Sequence, residues 1–302
     1  MTRSYVPLLL LLSAIWGSSY MFIKVGVRDF SPAAMVEVRL LLAAFVLVGF
    51  VAARRGLASI GPALRPGAVV GVVGMAVPFF LISWGETHVD SGVAAVANSS
   101  VPIFVALLAL WFAPSERSSG VRLVGLAVGL AGVAVVVGLH PGGGVWAVLG
   151  ALAVVLASLC YAGSSLFIQR SLHVGGPELA AAATVCGALA MLPFAAVDVP
   201  DDVGWKPLVS VIVLGVVATG FAQLLVNRLI ALHGSARTML VNYVLPGFAL
   251  VYGVTLLGEP LTAAKLGGLA LILAGVTLAS GLLRRDVLLR RVLLTVYDRP
   301  NR

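Results

Sequence analysis

At 302 residues, with 60% hydrophobic and 11% charged side chains and a mean hydropathy of +1.08, the chain has too little polar surface to cover a water-soluble globule. The expected fold class is an all-α integral membrane protein. The formal net charge of +8 arises from loops and a basic tail, which directs it to anionic lipid of the bilayer and argues against nucleic acid as a partner.

Spans of roughly 20 apolar residues suit the hydrocarbon thickness. Ten follow one another, at about residues 6–27, 32–53, 66–84, 91–112, 120–139, 146–168, 178–197, 207–231, 235–257 and 263–283. Arg3 before the first span and the small residues Gly17, Ser18 and Ser19 within it resemble a secretory signal. The same pattern returns internally around Tyr161–Gln169, where no signal can lie, so the first span is read as a transmembrane helix. With the N terminus inside, 15 of the 20 Lys and Arg fall on the cytoplasmic side and only Lys24, Arg28, Lys206 and Lys265 on the other. The positive-inside rule therefore predicts cytoplasmic N and C termini. Cys160 and Cys186 lie in apolar spans without CxxC spacing and read as small buried thiols. The stretch 284–302 mixes paired arginines with leucine and valine, as in an amphipathic helix on the inner membrane surface.

The chain is also written twice. Ser91–Pro102, SGVAAVANSSVP, is echoed by Ser235–Pro246, SARTMLVNYVLP, with asparagine and proline in register. Ser19 aligns with Ser164, Phe22 with Phe167, Pro32 with Pro177, Glu116 with Glu259, and Gly132 with Gly275, at an offset that drifts only from 145 to 143. Repeats of five spans, an odd number, enter the bilayer in opposite senses. The expectation is ten transmembrane helices as two inverted-topology five-helix repeats, residues 1–143 and 144–283, followed by the basic cytoplasmic tail 284–302. Such halves can rock against each other, so a secondary transporter that binds its solute between them is expected.

Polar residues inside the spans mark the expected path. Pro102 and Pro246 deprive the carbonyls of Asn98 and Asn242 of their helical partners near the midplane, so these helices are expected to kink there, with both asparagines lining a wet cavity. Trp16, Tyr20 and Lys24 recur at four-residue spacing on one face, as do Tyr161, Ser165 and Gln169 in the second half. Gln223 and Asn227, with Thr219, form a third such stripe. Glu37 and Arg39 are charges within a span, each costing about 2.5–3.5 kcal/mol near the bilayer centre if unpaired. Lys24 and Glu37 lie at similar depth, so an ion pair between them is expected, with Glu37 exchanging a proton or cation and Lys24 or Arg39 meeting an anionic group of the substrate. Snorkelling of the two cations to the interface is the structural alternative. No H-E-x-x-H, G-x-S-x-G or carboxylate cluster occurs, so no catalytic residue, metal or cofactor is assigned. The competing class is a non-transporting or lipid-acting polytopic protein.

The segments FSPAAMVEVRLLLAAF, SGVAAVANSSVPIFVALL and YVLPGFALVYGVTLLGEPLTAAKLGGLALILAGVTL resemble ten-helix members of the drug/metabolite transporter superfamily, EamA-like family. The specific features are Pro32 with Arg39, the Pro102 and Pro246 helices, the Gly258, Glu259, Pro260 turn and the glycine-bearing last helix of each half. The first-half turn departs from the pattern, with Ala113, Pro114 and Ser115 before Glu116. The resemblance implies a basket-like bundle in the bacterial inner membrane that exports or exchanges small metabolites such as amino acids or drug-like compounds. Protons are one candidate coupling ion, and the oligomeric state is open between monomer and homodimer.

Overall fold

The computed structural model describes residues 5–112, 120–138, 144–171, 176–198, 200 and 202–279, which are helical apart from short turns and contain no strand. Glu116 and the 284–302 tail lie outside the described residues. Seven helices are long and apolar enough to cross a membrane, and three shorter apolar helices complete ten. In chain order they are α1 (Tyr5–Gly26), α2 (Pro32–Arg55), α3 (Leu57–Glu86), α4 (Ser91–Leu108), α5 (Gly120–Gly138), α6 (Gly144–Ser171), α7 (Pro177–Ala195), α8 (Trp205–His233), α9 (Val241–Leu257) and α10 (Ala263–Ala279).

Local chemistry places the helix ends. Ser31 caps α2 by accepting from the Ala34 amide at 3.2 Å, with Pro32 in the first turn where no donor is needed. α9 ends at Gly258, whose φ of 70° is left-handed and cheap only for glycine. α3 and α8 each contain a π-helical segment, Val72–Ala76 and Leu214–Phe221, at repeat-equivalent positions.

Packing follows the duplication. α1 packs on α8 and α9, and α6 packs on the corresponding α3 and α4. α2 packs on α8 as α7 does on α3, while α2 with α7, α4 with α9 and α5 with α10 are self-equivalent pairs. This pairing is what a pseudo-twofold axis relating two inverted five-helix repeats requires. The α5 and α10 helices meet through glycine: a Cβ on Gly132 would lie 2.8 Å from the Ile272 amide nitrogen and 2.9 Å from the Gly268 carbonyl oxygen. Lipid-facing side chains such as Phe45, Leu189 and Phe194 lie on the outside of the bundle.

The two prolines behave differently. α4 is broken at Ser99 and Ser100, between Ser91–Asn98 and Val101–Phe112, directly before Pro102. In the second half the turn falls at Met239 and Leu240, and Pro246 sits inside the continuous α9. The helix thus continues through Pro246, and the interruption in this half lies six residues before it.

Candidate translocation site

A polar cluster forms where helices of both halves converge. Tyr20 on α1 is buried, and its hydroxyl accepts the Asn98 amide of α4 at 2.7 Å. Asn98 Oδ1 in turn accepts from Ser158 Oγ of α6 at 3.1 Å. Arg39, also buried, donates from Nε to Thr219 Oγ1 at 2.9 Å and stacks its guanidinium 3.7 Å from the Phe79 ring centre. Thr219 lies in the π-helical segment of α8, and its hydroxyl donates to the Leu214 carbonyl at 2.8 Å. The same segment offers the Ala218 carbonyl to Trp16 Nε1 at 3.2 Å. The π register thus supplies side-chain and backbone acceptors to the two first-half helices that face it. Tyr161 of α6, half-buried, packs on the apolar cores that hold Tyr20 and Phe79.

Beyond this cluster, at the end of the bundle formed by the 27–31, 87–90 and 258–262 turns, the halves are tied together. Glu259 accepts the Ser91 and Gly92 amides at 2.7 and 3.0 Å, so it caps α4 of the other half. Lys265 of α10, almost fully buried, reaches Asp90 Oδ2 and the Pro260 carbonyl, each at 2.8 Å, and lies 3.8 Å from Glu259. Lys24 of α1 donates to the Glu86 and Val89 carbonyls at 2.6 and 2.7 Å.

Trp16, Tyr20, Arg39, Asn98 and Tyr161 therefore come together, with Lys24 above them at the tied end. The expected Lys24 to Glu37 pair does not form. Lys24 is held by the carbonyls that end α3, and Glu37 points into a cleft of about 200 Å³ between α2 and α7, walled by Leu41, Ala44, Val185, Ala188, Leu189 and Leu192. Glu37 Oε2 has no hydrogen-bond partner there. Asn242 is half-buried with its amide 3.8 Å from Met239 Sδ, outside the Tyr20, Asn98 and Ser158 chain of hydrogen bonds. Ser165, Gln223 and Asn227 are half-buried and Gln169 is exposed.

Sequence reasoning missed Glu86, Ser158, Phe79 and the Asp90, Glu259 and Lys265 cluster. Glu86 is fully buried at the end of the apolar run Leu57–Glu86, two residues past the expected end of its span. Following that run as far as the α4 cap would have included it.

Comparison with known proteins matches the geometry to a family. The EamA-like transporter family model matches twice, over residues 3–138 and 148–281. The Escherichia coli (strain K12) protein named "Uncharacterized inner membrane transporter YedA" is 31% identical over 277 residues, covering 88% of this chain and 83% of that one. A "Probable terminal-alkyne amino-acid exporter" of Streptantibioticus cattleyicolor is 30% identical over 279 residues, covering 89% and 91%. A "Probable amino-acid metabolite efflux pump" of Salmonella typhimurium is 25% identical over 287 residues, covering 91% and 94%. One chain of known crystal structure shares the fold with a TM-score of 0.65 at 20% identity, covering 94% of this chain and 99% of its own. With ten helices in two inverted repeats and a family match along nearly the whole chain, this protein belongs to the EamA-like transporter family and is a membrane transporter.

Proposed function

We propose that the protein is a secondary transporter that exports or exchanges small metabolites, amino acids foremost, across a bacterial inner membrane by alternating access between its two halves, 1–143 and 144–283. The observation that carries this reading is the polar cluster of Trp16, Tyr20, Arg39, Asn98, Tyr161 and Thr219, drawn from helices of both halves, in which Tyr20, Arg39 and Thr219 are buried and the rest half-buried. Buried polar side chains within a membrane bundle are expensive and mark a solute path. The amino-acid class is supported by the names of relatives at 30% and 25% identity.

With both termini cytoplasmic, as the Lys and Arg bias supports, the tied end lies on the outer side. The Asp90, Glu259 and Lys265 cluster is then an outer gate, since its buried bonds join the first half to the second, while Arg55 and Glu178 join the halves at 2.6 Å at the opposite end of the bundle. Opening outward requires those bonds to part while the cytoplasmic ends of the halves close.

A metabolite survey of cells with and without the expressed gene tests the reading. Extracellular amino acids should accumulate with expression, and purified protein in liposomes should exchange the same solutes in counterflow. Protein that exchanges none of the solutes the survey returns contradicts a transport function.

A further inference from the structure

Glu37 is the one wall residue of the cleft between α2 and α7 that is not apolar. The residue is 6% exposed, and its Oε2 has no hydrogen-bond partner. A carboxylate enclosed among aliphatic side chains without a donor is costly. The fold does not call for one at this place, since the equivalent residue of the second half is Ala182, packed against Gly67. The charge therefore belongs to this cleft and not to the packing of the halves.

The cleft opens to lipid, because Leu41, Leu189 and Leu192 on its walls are exposed on the outside of a bundle that crosses the membrane. At about 200 Å³ it lies below the roughly 300–1,000 Å³ of pockets that enclose drug-sized ligands, and is closer to apolar cavities that hold one small hydrocarbon body. Apart from Glu37 its walls offer no hydrogen-bonding side chain, so one positive group is all that they can satisfy. A metal ion does not fit, since hard cations need several oxygen ligands and no group of three His, Cys, Asp or Glu occurs among the described residues. A phosphatidylethanolamine headgroup does not fit either. Its ammonium is joined to a phosphate for which the walls hold no donor, and Glu37 lies five residues into α2 from Pro32, about 8 Å along the helix axis.

We infer that this cleft is a lipid-side binding site for a straight-chain aliphatic ammonium, its head on Glu37 and its chain among the aliphatic walls, with the far end in the surrounding bilayer. The ammonium supplies both the charge and the donors that Glu37 Oε2 lacks. Lipid tails are as apolar as the walls, so the chain gains packing only and the charged contact decides the affinity. The site is separate from the candidate translocation cluster: none of Trp16, Tyr20, Arg39, Asn98 and Tyr161 lines it. α2 and α7 fall in the two separate family matches and pack on each other, so a bound amine acts on their spacing from the bilayer and is not cargo.

The test uses the full chain in lipid nanodiscs with octylamine that carries a diazirine at its tail, and maps the photolabel by mass spectrometry. The label should fall on the α2 and α7 peptides that hold Leu41 and Leu189. Unlabelled octylamine should displace it at a concentration at least about tenfold lower than octanol does, as expected for a charge-assisted contact. E37Q keeps the shape of the side chain without its charge and should erase that difference. Leu189→Trp fills the mouth of the cleft from an exposed position, leaves Glu37 in place, and should abolish the label. Octanol that displaces the label as well as octylamine overturns the inference, and so does labelling that E37Q leaves unchanged. Label shared evenly among all lipid-facing helices overturns it too, as does Glu37-dependent labelling of the same peptides by a diazirine-bearing phosphatidylethanolamine, which would assign the site to a lipid headgroup. These outcomes read binding alone and are independent of whether the protein exchanges solutes in counterflow.

Discussion

At the scale of single residues, the hydrogen bonds of the polar cluster, the Asp90, Glu259 and Lys265 ion cluster and the exposed Arg55 pair differ sharply in weight. Tyr20→Phe removes the hydroxyl that accepts the half-buried Asn98 amide, which should lower unfolding free energy by about 0.5–1.5 kcal/mol. Asn98→Ala should cost a similar amount, and the double variant less than their sum, because the two act on one contact. Thermal unfolding in detergent reads all three. Lys265→Met removes the cation shared by Asp90 and Glu259 and should cost about 3 kcal/mol, since the almost buried Glu259 keeps only the Ser91 and Gly92 amides. Arg55 pairs with Glu178 at 2.6 Å but is mostly exposed, so Arg55→Met should cost at most about 1 kcal/mol. Equal losses from the two replacements would contradict the contrast drawn between them.

At the scale of elements, close backbone approach decides which glycines matter. Gly132→Leu places a side chain against the backbone of α10 at Ile272 and Gly268, and overpacking of this kind should cost about 1–3 kcal/mol or more. Gly267 has open space where its Cβ would be, so Gly267→Ala should leave the melting temperature unchanged. The helices themselves were legible in the sequence, because lipid demands long apolar runs and the duplicated motifs mark equivalent helices. The polar cluster was only partly legible. Trp16, Tyr20, Asn98 and Tyr161 could be found because they recur in the repeat, and Arg39, which aligns with Thr184, because a charge stands out inside an apolar span; Glu86 has neither signal, since it ends its apolar run and its position is apolar in the second half. The Lys24 to Glu37 expectation failed for a rotational reason: depth from the turn is set by residue count, but Glu37 faces α7 while Lys24 faces the end of α3.

For the whole molecule, the alternating access proposed above requires the Asp90, Glu259 and Lys265 bonds at one end and the Arg55–Glu178 bridge at the other to part in turn. Reporter fusions placed in each loop should alternate in side along the chain, starting and ending in the cytoplasm; two successive loops on the same side would contradict the inverted arrangement. The gate itself is tested most directly by bridging it. In a protein with Cys160 and Cys186 replaced by serine, D90C and K265C put one thiol on each half at the outer cluster, where the native side chains lie 2.8 Å apart. Joining them with a short reducible cross-linker should stop amino-acid counterflow in liposomes, and reduction should restore it. Undiminished exchange through quantitatively bridged protein would contradict alternating access through this gate.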